Sequence, residues 1–184
     1  MTPELTATFT IVAASAGLIA YISRSRSRAR RLLRKTIRAI SHDFIEKVVV
    51  PDGLDGKIQV DYLLLTTRGL LVLDVKDVGG VVFAGTSLER WAVIDGAQHY
   101  KISNPIGPSM ARVIAIKRLV PDLPVHGRIV FTSDTEFHGD DLPNVVSLEQ
   151  LRAEFLADDA AAADSSVDAF YGEWVKLRAR AAAA

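Results

Sequence analysis

The sequence predicts an α/β fold: a mixed, largely antiparallel sheet flanked by helices. Three observations predict it. Residues 58–76 form two apolar, β-branched-rich runs around a short turn, which is the pattern of a hairpin. Short strand-like runs separated by Gly- and Asp-containing turns occupy most of residues 44–102. Helix-period segments at 109–120 and 147–157 then enclose an apolar run at 128–132. A strand reached through a helix can lie parallel to an earlier one, which makes the sheet mixed.

The 184 residues, 49% of them hydrophobic, suffice for one domain plus appendages. There are no cysteines, which excludes disulfide scaffolds, thiolate zinc sites and a cysteine nucleophile. The net charge of zero conceals a split. Residues 24–38 hold eight cations and no acid, whereas residues 39–184 carry 14 basic and 21 acidic residues, net −7. An acidic body argues against a broad phosphate-binding surface, which needs many cations.

Residues 5–22 contain no charge. As a helix they would span about 27 Å, enough for a thin hydrocarbon core. The basic run follows them and nothing basic precedes them. The positive-inside rule therefore sets the N-terminus outside and the globular part in the cytoplasm. A cleaved signal peptide is the alternative, although its positive charge normally comes first. In the basic run, Leu32, Leu33, Ile37 and Ile40 recur at helical spacing. Next to a span, its cations are expected at anionic headgroups, with a nucleic-acid arm as the other reading.

Phe44 to Val50 reads as a strand ended by Pro51. After the 58–76 hairpin come short strands at 81–83, 90–94 and 98–102, which extend an antiparallel meander. Asn104-Pro105-Ile106-Gly107-Pro108 opens the helix at 109–120, with Val113, Ile116 and Val120 on one stripe. Arg112, Lys117 and Arg118 read as a basic helix surface. The strand at 128–132 is expected to be interior, and 133–144 a polar loop. Ser147 can N-cap the next helix. Residues 158–166 read as an Ala/Asp/Ser linker, and Val167, Phe170, Tyr171 and Trp174 as the packing stripe of a last helix.

The hairpin carries acids where a buried strand should avoid them: Asp61 in its first run, Asp74 with Lys76 in its second. A buried carboxylate needs a cation or several donors to replace its hydration. Asp74 and Lys76 are two residues apart and share a face. A two-residue turn at Thr67-Arg68 puts Asp61 opposite Asp74, and like charges there repel unless a divalent ion lies between them. A three-residue turn with Gly69 left-handed puts Asp61 opposite Val75 and on the other face. Both registers remain open, as does a simple salt bridge of Lys76 to either acid. Oxygen ligands without clustered His or Cys suit Mg²⁺ or Mn²⁺ rather than zinc. His42, His99, His126 and His138 are scattered, without ligand spacing.

The run from Val60 to Lys76 resembles the nuclease-related domain family, NERD, which has an Asp in an apolar strand, a Thr-x-x-Gly turn and then acid-x-Lys. Gly80, Trp91 and Asn104-Pro105 also stand where that family has a Gly, a Trp and an Asn-Pro. The resemblance implies the restriction-endonuclease-like fold of PD-(D/E)xK nucleases. It also implies Asp61, Asp74 and the Val75 carbonyl as metal ligands, and Lys76 serving the attacking water. The family usually has Glu at the place of Asp74, a Glu in the preceding helix, and Gln at the place of Pro108. Here that helix is basic, and Glu46 falls in the following strand.

The expected organisation is a transmembrane anchor at 1–23, a basic juxtamembrane helix at 24–40, a nuclease-related domain at 41–157, and a linker with C-terminal helix at 158–184. The expected function is membrane-anchored, metal-dependent hydrolysis of phosphodiester bonds in DNA or RNA. The alternative is a catalytically degenerate nuclease fold that acts as a membrane-tethered binding or scaffolding module.

Overall fold

The computed structural model describes residues 27–52, 55–156 and 160–182. The expected membrane span over residues 5–22 lies outside them. Among the described residues, no helix is long and apolar enough to cross a membrane.

The first described element is a helix, α1, over residues 27–40. Its apolar stripe narrows to Leu33, Ile37 and Ile40, all buried, while Leu32 points to solvent. Burying each of these three side chains stabilises the fold by roughly 1.5–3 kcal/mol. Strands β1 (Asp43–Pro51), β2 (Lys57–Thr66) and β3 (Gly69–Lys76) form an antiparallel meander. Six of the eight residues of β3 are buried, as expected of a strand covered on both faces.

The chain then leaves this sheet. Strands β4 (Gly80–Ala84), β5 (Arg90–Asp95) and β6 (Gln98–Ser103) build a separate sheet instead of extending the meander. The departure runs through Gly80, at φ +85°, where a Cβ would stand 2.3 Å from the Ile94 carbonyl oxygen. Only glycine fits that approach. Helix α2 (Ile106–Leu119) returns the chain to the first sheet, where β7 (Val125–Phe131) pairs parallel with β3. The first sheet has the order β1-β2-β3-β7-β9, with β9 the pair Val145–Val146. As expected, β7 is interior.

The stretch 133–144 is not simply a loop. Thr135–Gly139 form β8, which pairs parallel with β4 at the edge of the second sheet. Its exposed sequence lacks apolar alternation. It is held instead by the pairing and by Phe137, whose ring meets Phe131 edge-on at 4.9 Å. The expected linker at 158–166 is likewise corrected: from Ala160 it is helical, part of α4 (Ala160–Ala182). Alanine has the highest helix propensity, which outweighs the low-complexity look of the segment.

Two apolar layers cover the first sheet. Helices α2 and α4 pack on one face, over Val60, Leu63, Leu65, Leu70 and Val72. Helices α1 and α3 (Leu148–Phe155) pack on the other, over Leu64, Leu71 and Leu73. The result is a mixed α/β fold with sheets flanked by helices.

Helix α3 begins as expected at Ser147, whose hydroxyl accepts from Gln150 N while Gln150 reciprocates on Ser147 N. This capping box satisfies two helix-end donors. Replacing Ser147 with alanine is expected to cost about 1 kcal/mol. Urea denaturation should show a lower midpoint at unchanged slope; an unchanged midpoint would mean that the cap contributes nothing.

Candidate active site

Turn and register settle first. Thr67 and Arg68 form a two-residue turn, and β2 pairs with β3 from Thr66↔Gly69 to Tyr62↔Leu73. This is the register that brings Asp61 opposite Asp74. The ladder stops one rung short of them, for a visible reason. Continued alternation would bond the Val75 amide to the backbone of residue 60. Instead Val75 N donates to Asp61 Oδ2 at 3.0 Å. The Asp61 carboxylate is inserted between the strands and takes the hydrogen bond of the missing rung. The N–H and C=O of one strand residue point to the same side, so the Val75 carbonyl faces the same opening.

The neighbouring backbone is irregular in the same place. Lys47, between the pairs Glu46↔Tyr62 and Val48↔Val60, has φ +53°, unusual for a non-glycine residue. Ile58 and Val60 pack in the same cluster as Leu63 and Leu65, which strict alternation forbids. The pleat therefore shifts at Asp61–Tyr62, and a half-buried carboxylate sits at the shift.

Asp74 is 1% exposed, and neither carboxylate oxygen has a hydrogen-bond partner. Burial pushes its pKa up. The Ser109 hydroxyl, Arg112 and Lys76 act in the opposite sense, and the Asp61 charge adds to the rise. Arg112 Nε is 3.3 Å from Asp74 Oδ1, an ion-pair distance. The same Nε donates to the Gln59 carbonyl at 2.6 Å, so the guanidinium is strapped to β2 beside the acid. Lys76 shares the Asp74 face but has no ion pair within 4 Å to either acid among the described residues. The simple salt bridge of Lys76 is thus not formed. Arg112, distant in sequence, is the counter-ion instead.

The rest of the basic surface of α2 is also engaged. Lys117 Nζ donates to the Leu123 carbonyl at 2.6 Å, and Arg118 to that of Asp52 at 3.0 Å. Trp91 and Asn104 prove to be scaffold. The Trp91 indole donates to the Gly85 carbonyl at 3.0 Å. Asn104 donates to the Leu88 carbonyl at 2.7 Å and accepts from Ile106 N at 2.9 Å. Asn104 fixes the start of α2, which in turn presents Ser109 and Arg112 to Asp74, while Trp91 fixes the loop after β4. None of the four histidines joins the site; His126, for example, contacts the Arg68 carbonyl.

On the α1 side a groove of about 610 Å³ opens beside these residues. Asp61, Tyr62 and Val75 line it, and so do Arg30, Arg31 and Arg34 of α1. Asp74 and Lys76 are not among its lining residues, so Asp61 and the Val75 backbone join the groove to the buried carboxylate. Among the described residues, no group of three or more His, Cys, Asp or Glu side chains is placed to hold a metal. The set expected from sequence has two carboxylates and a carbonyl. A buried carboxylate whose oxygens complete no hydrogen bond, with a guanidinium beside it that is shared with Gln59, fits a site for a cation.

An α/β domain whose central hairpin is parted by one inserted carboxylate, with a second carboxylate buried on the facing strand, defines the class of protein. The family model of the nuclease-related domain, NERD, matches residues 24–132, more than half of the chain. The chain therefore belongs to the nuclease-related domain family. The match takes in α1 as well as the hairpin. No curated protein and no solved structure matches the chain significantly.

Proposed function

We propose that the chain is a metal-dependent nuclease of the restriction-endonuclease-like kind, hydrolysing phosphodiester bonds of DNA or RNA. The observation that carries this reading is Asp74: a buried carboxylate without hydrogen bonds, beside Asp61, at the positions where the family resemblance expects metal ligands. Asp61, Asp74 and the Val75 carbonyl would hold Mg²⁺ or Mn²⁺, hard cations that prefer oxygen. Such an ion, when bound, polarises a phosphate oxygen and lowers the pKa of water. Lys76, on the Asp74 face and outside any ion pair with a described residue, has its ammonium available to orient the attacking water or to offset developing negative charge. Arg112, 3.3 Å from Asp74, offsets part of the cost of burying its charge. In this reading residues 5–22 anchor the protein with its globular part in the cytoplasm.

The full chain in detergent should cleave single- or double-stranded nucleic acid with Mg²⁺ or Mn²⁺ and stop on addition of EDTA. Lys76→Ala is expected to reduce the rate by about a hundredfold at unchanged melting temperature. Wild-type protein inert on every substrate would sink the reading.

The second reading is a degenerate module, tethered at the membrane for binding or scaffolding. It is favoured by the missing helix Glu and by the separation of Lys76 from both acids. Calorimetry with Mg²⁺ and Mn²⁺ separates the two: binding by wild type that disappears in Asp61→Ala argues for a live site.

A further inference from the structure

We propose that the outward face of α1 is a phosphate track, on which Arg30 and Arg31 hold the backbone of a nucleic-acid strand next to Asp61. The proposal rests on the nuclease reading for the identity of the polymer. Its geometry does not. Arg30, Arg31 and Arg34 line the same groove as Asp61 and Val75, so the cations and the candidate ligands face one space. Arg34 is already engaged, 3.4 Å from Glu46. Arg30 and Arg31 are exposed and form no ion pair with any described residue. Arginine suits this role because its planar fork matches a phosphate with two parallel bonds.

The orientation of α1 is fixed. Leu33, Ile37 and Ile40 are buried against the sheet, which turns the arginines into the groove wall. That burial also weakens a lipid reading. A helix lying in a membrane interface buries its apolar stripe in lipid, and here that stripe is covered by β2, β3 and α3. Lys47 adds a further cation to the groove lining. The remainder of the body is acidic, net −7 over residues 39–184, so an approaching polyanion is repelled elsewhere and drawn to this wall. Tyr62 lines the groove too. Its ring offers a surface on which a base can stack.

The test is fluorescence anisotropy of a labelled 20-nucleotide single strand with the full chain in EDTA, which prevents cleavage, over a range of salt concentrations. Arg30→Gln/Arg31→Gln is expected to weaken binding at least tenfold. It should also reduce the slope of log K against log salt by about 1.4, since each neutralised single-strand phosphate contributes about 0.7. Arg30→Lys/Arg31→Lys should keep most of the slope, and both variants should melt like wild type. A parallel arm measures binding to phosphatidylserine vesicles, expected to be unchanged. Unaltered oligonucleotide binding, or a loss confined to vesicles, overturns the proposal. Wild type that binds through these arginines but never cleaves overturns the nuclease reading and leaves the track standing. Wild type that cleaves, with the Gln variant binding equally well, does the reverse. No binding at all overturns the proposal outright.

Discussion

Asp74→Asn is expected to lower nuclease activity about a thousandfold while raising the melting temperature of the metal-free protein. The loss corresponds to about 4 kcal/mol of transition-state stabilisation, the scale of one metal contact. The gain in stability follows from burial. Asp74 is 1% exposed, neither of its oxygens completes a hydrogen bond, and the Arg112 guanidinium beside it is shared with the Gln59 carbonyl. Removing such a charge should stabilise by about 1–3 kcal/mol, with roughly 2–4 °C per kcal/mol in a chain of this size. The pH dependence has a definite sign. The folded-state pKa lies above the ordinary carboxylate value. Folding therefore favours the protonated form. The stability this provides is full below the unfolded pKa of about 3.9 and is lost as pH rises through the raised folded value. Calorimetric melting in EDTA across that window should show the fall in wild type and not in the Asn variant. Saturating Mg²⁺ should then stabilise wild type alone, by about 2.7 kcal/mol at a hundredfold excess over Kd. An Asn variant that melts lower than wild type in EDTA would make Asp74 a structural partner of Arg112 and sink the site.

Much of this site is legible in the sequence because hairpins are local. Apolar runs, a short turn and two interrupting acids place Asp61, Asp74 and Lys76 within one element, and strand alternation puts the last two on one face. The register is not legible. Thr67-Arg68-Gly69 supports two turn lengths, and only the formed pairs choose between them. Nor is the insertion of Asp61 onto the Val75 amide, because it depends on a pleat shift shared with β1 at Lys47. Arg112 and the α1 arginines could be seen as basic residues, but their partners lie in other elements. Glu46 shows the same limit. In sequence it is a strand residue that comes too late to replace a helix glutamate; in space it lines the groove beside Asp61 and pairs with Arg34. The division into two sheets was hidden because β4–β6 have the composition of further meander strands. What separates them is a backbone conformation at Gly80.

Gly69→Ala should test how far the site depends on its turn, and a loss of about 2–4 kcal/mol is expected. Gly69 has φ +109°, which L-residues rarely adopt, and a Cβ there would lie 2.4 Å from the Pro124 carbonyl oxygen. That oxygen accepts from Leu70 N at 2.9 Å, where β3 begins to pair with β7. The Gly69 carbonyl accepts from Thr66 Oγ1 at 2.8 Å across the turn. Alanine must therefore push Pro124 away, losing a hydrogen bond worth about 1 kcal/mol, and also bear backbone strain of about 1–3 kcal/mol. The other escape is a change of turn, which slips the register by one and moves Asp61 to the opposite face. Thermal melting measures the first cost, and the Mg²⁺-dependent shift in melting temperature reports the second. A variant that is destabilised but still responds to Mg²⁺ has kept the register; one that no longer responds has slipped. Gly107→Ala is the control, since a Cβ at Gly107, within α2, meets nothing within 4 Å and alanine favours the helix. If Gly69→Ala melts like this control, the turn does not hold the register. The register that sets Asp61 across from Asp74 must then be enforced from elsewhere, with the pleat shift at Lys47 the remaining device on the same strands.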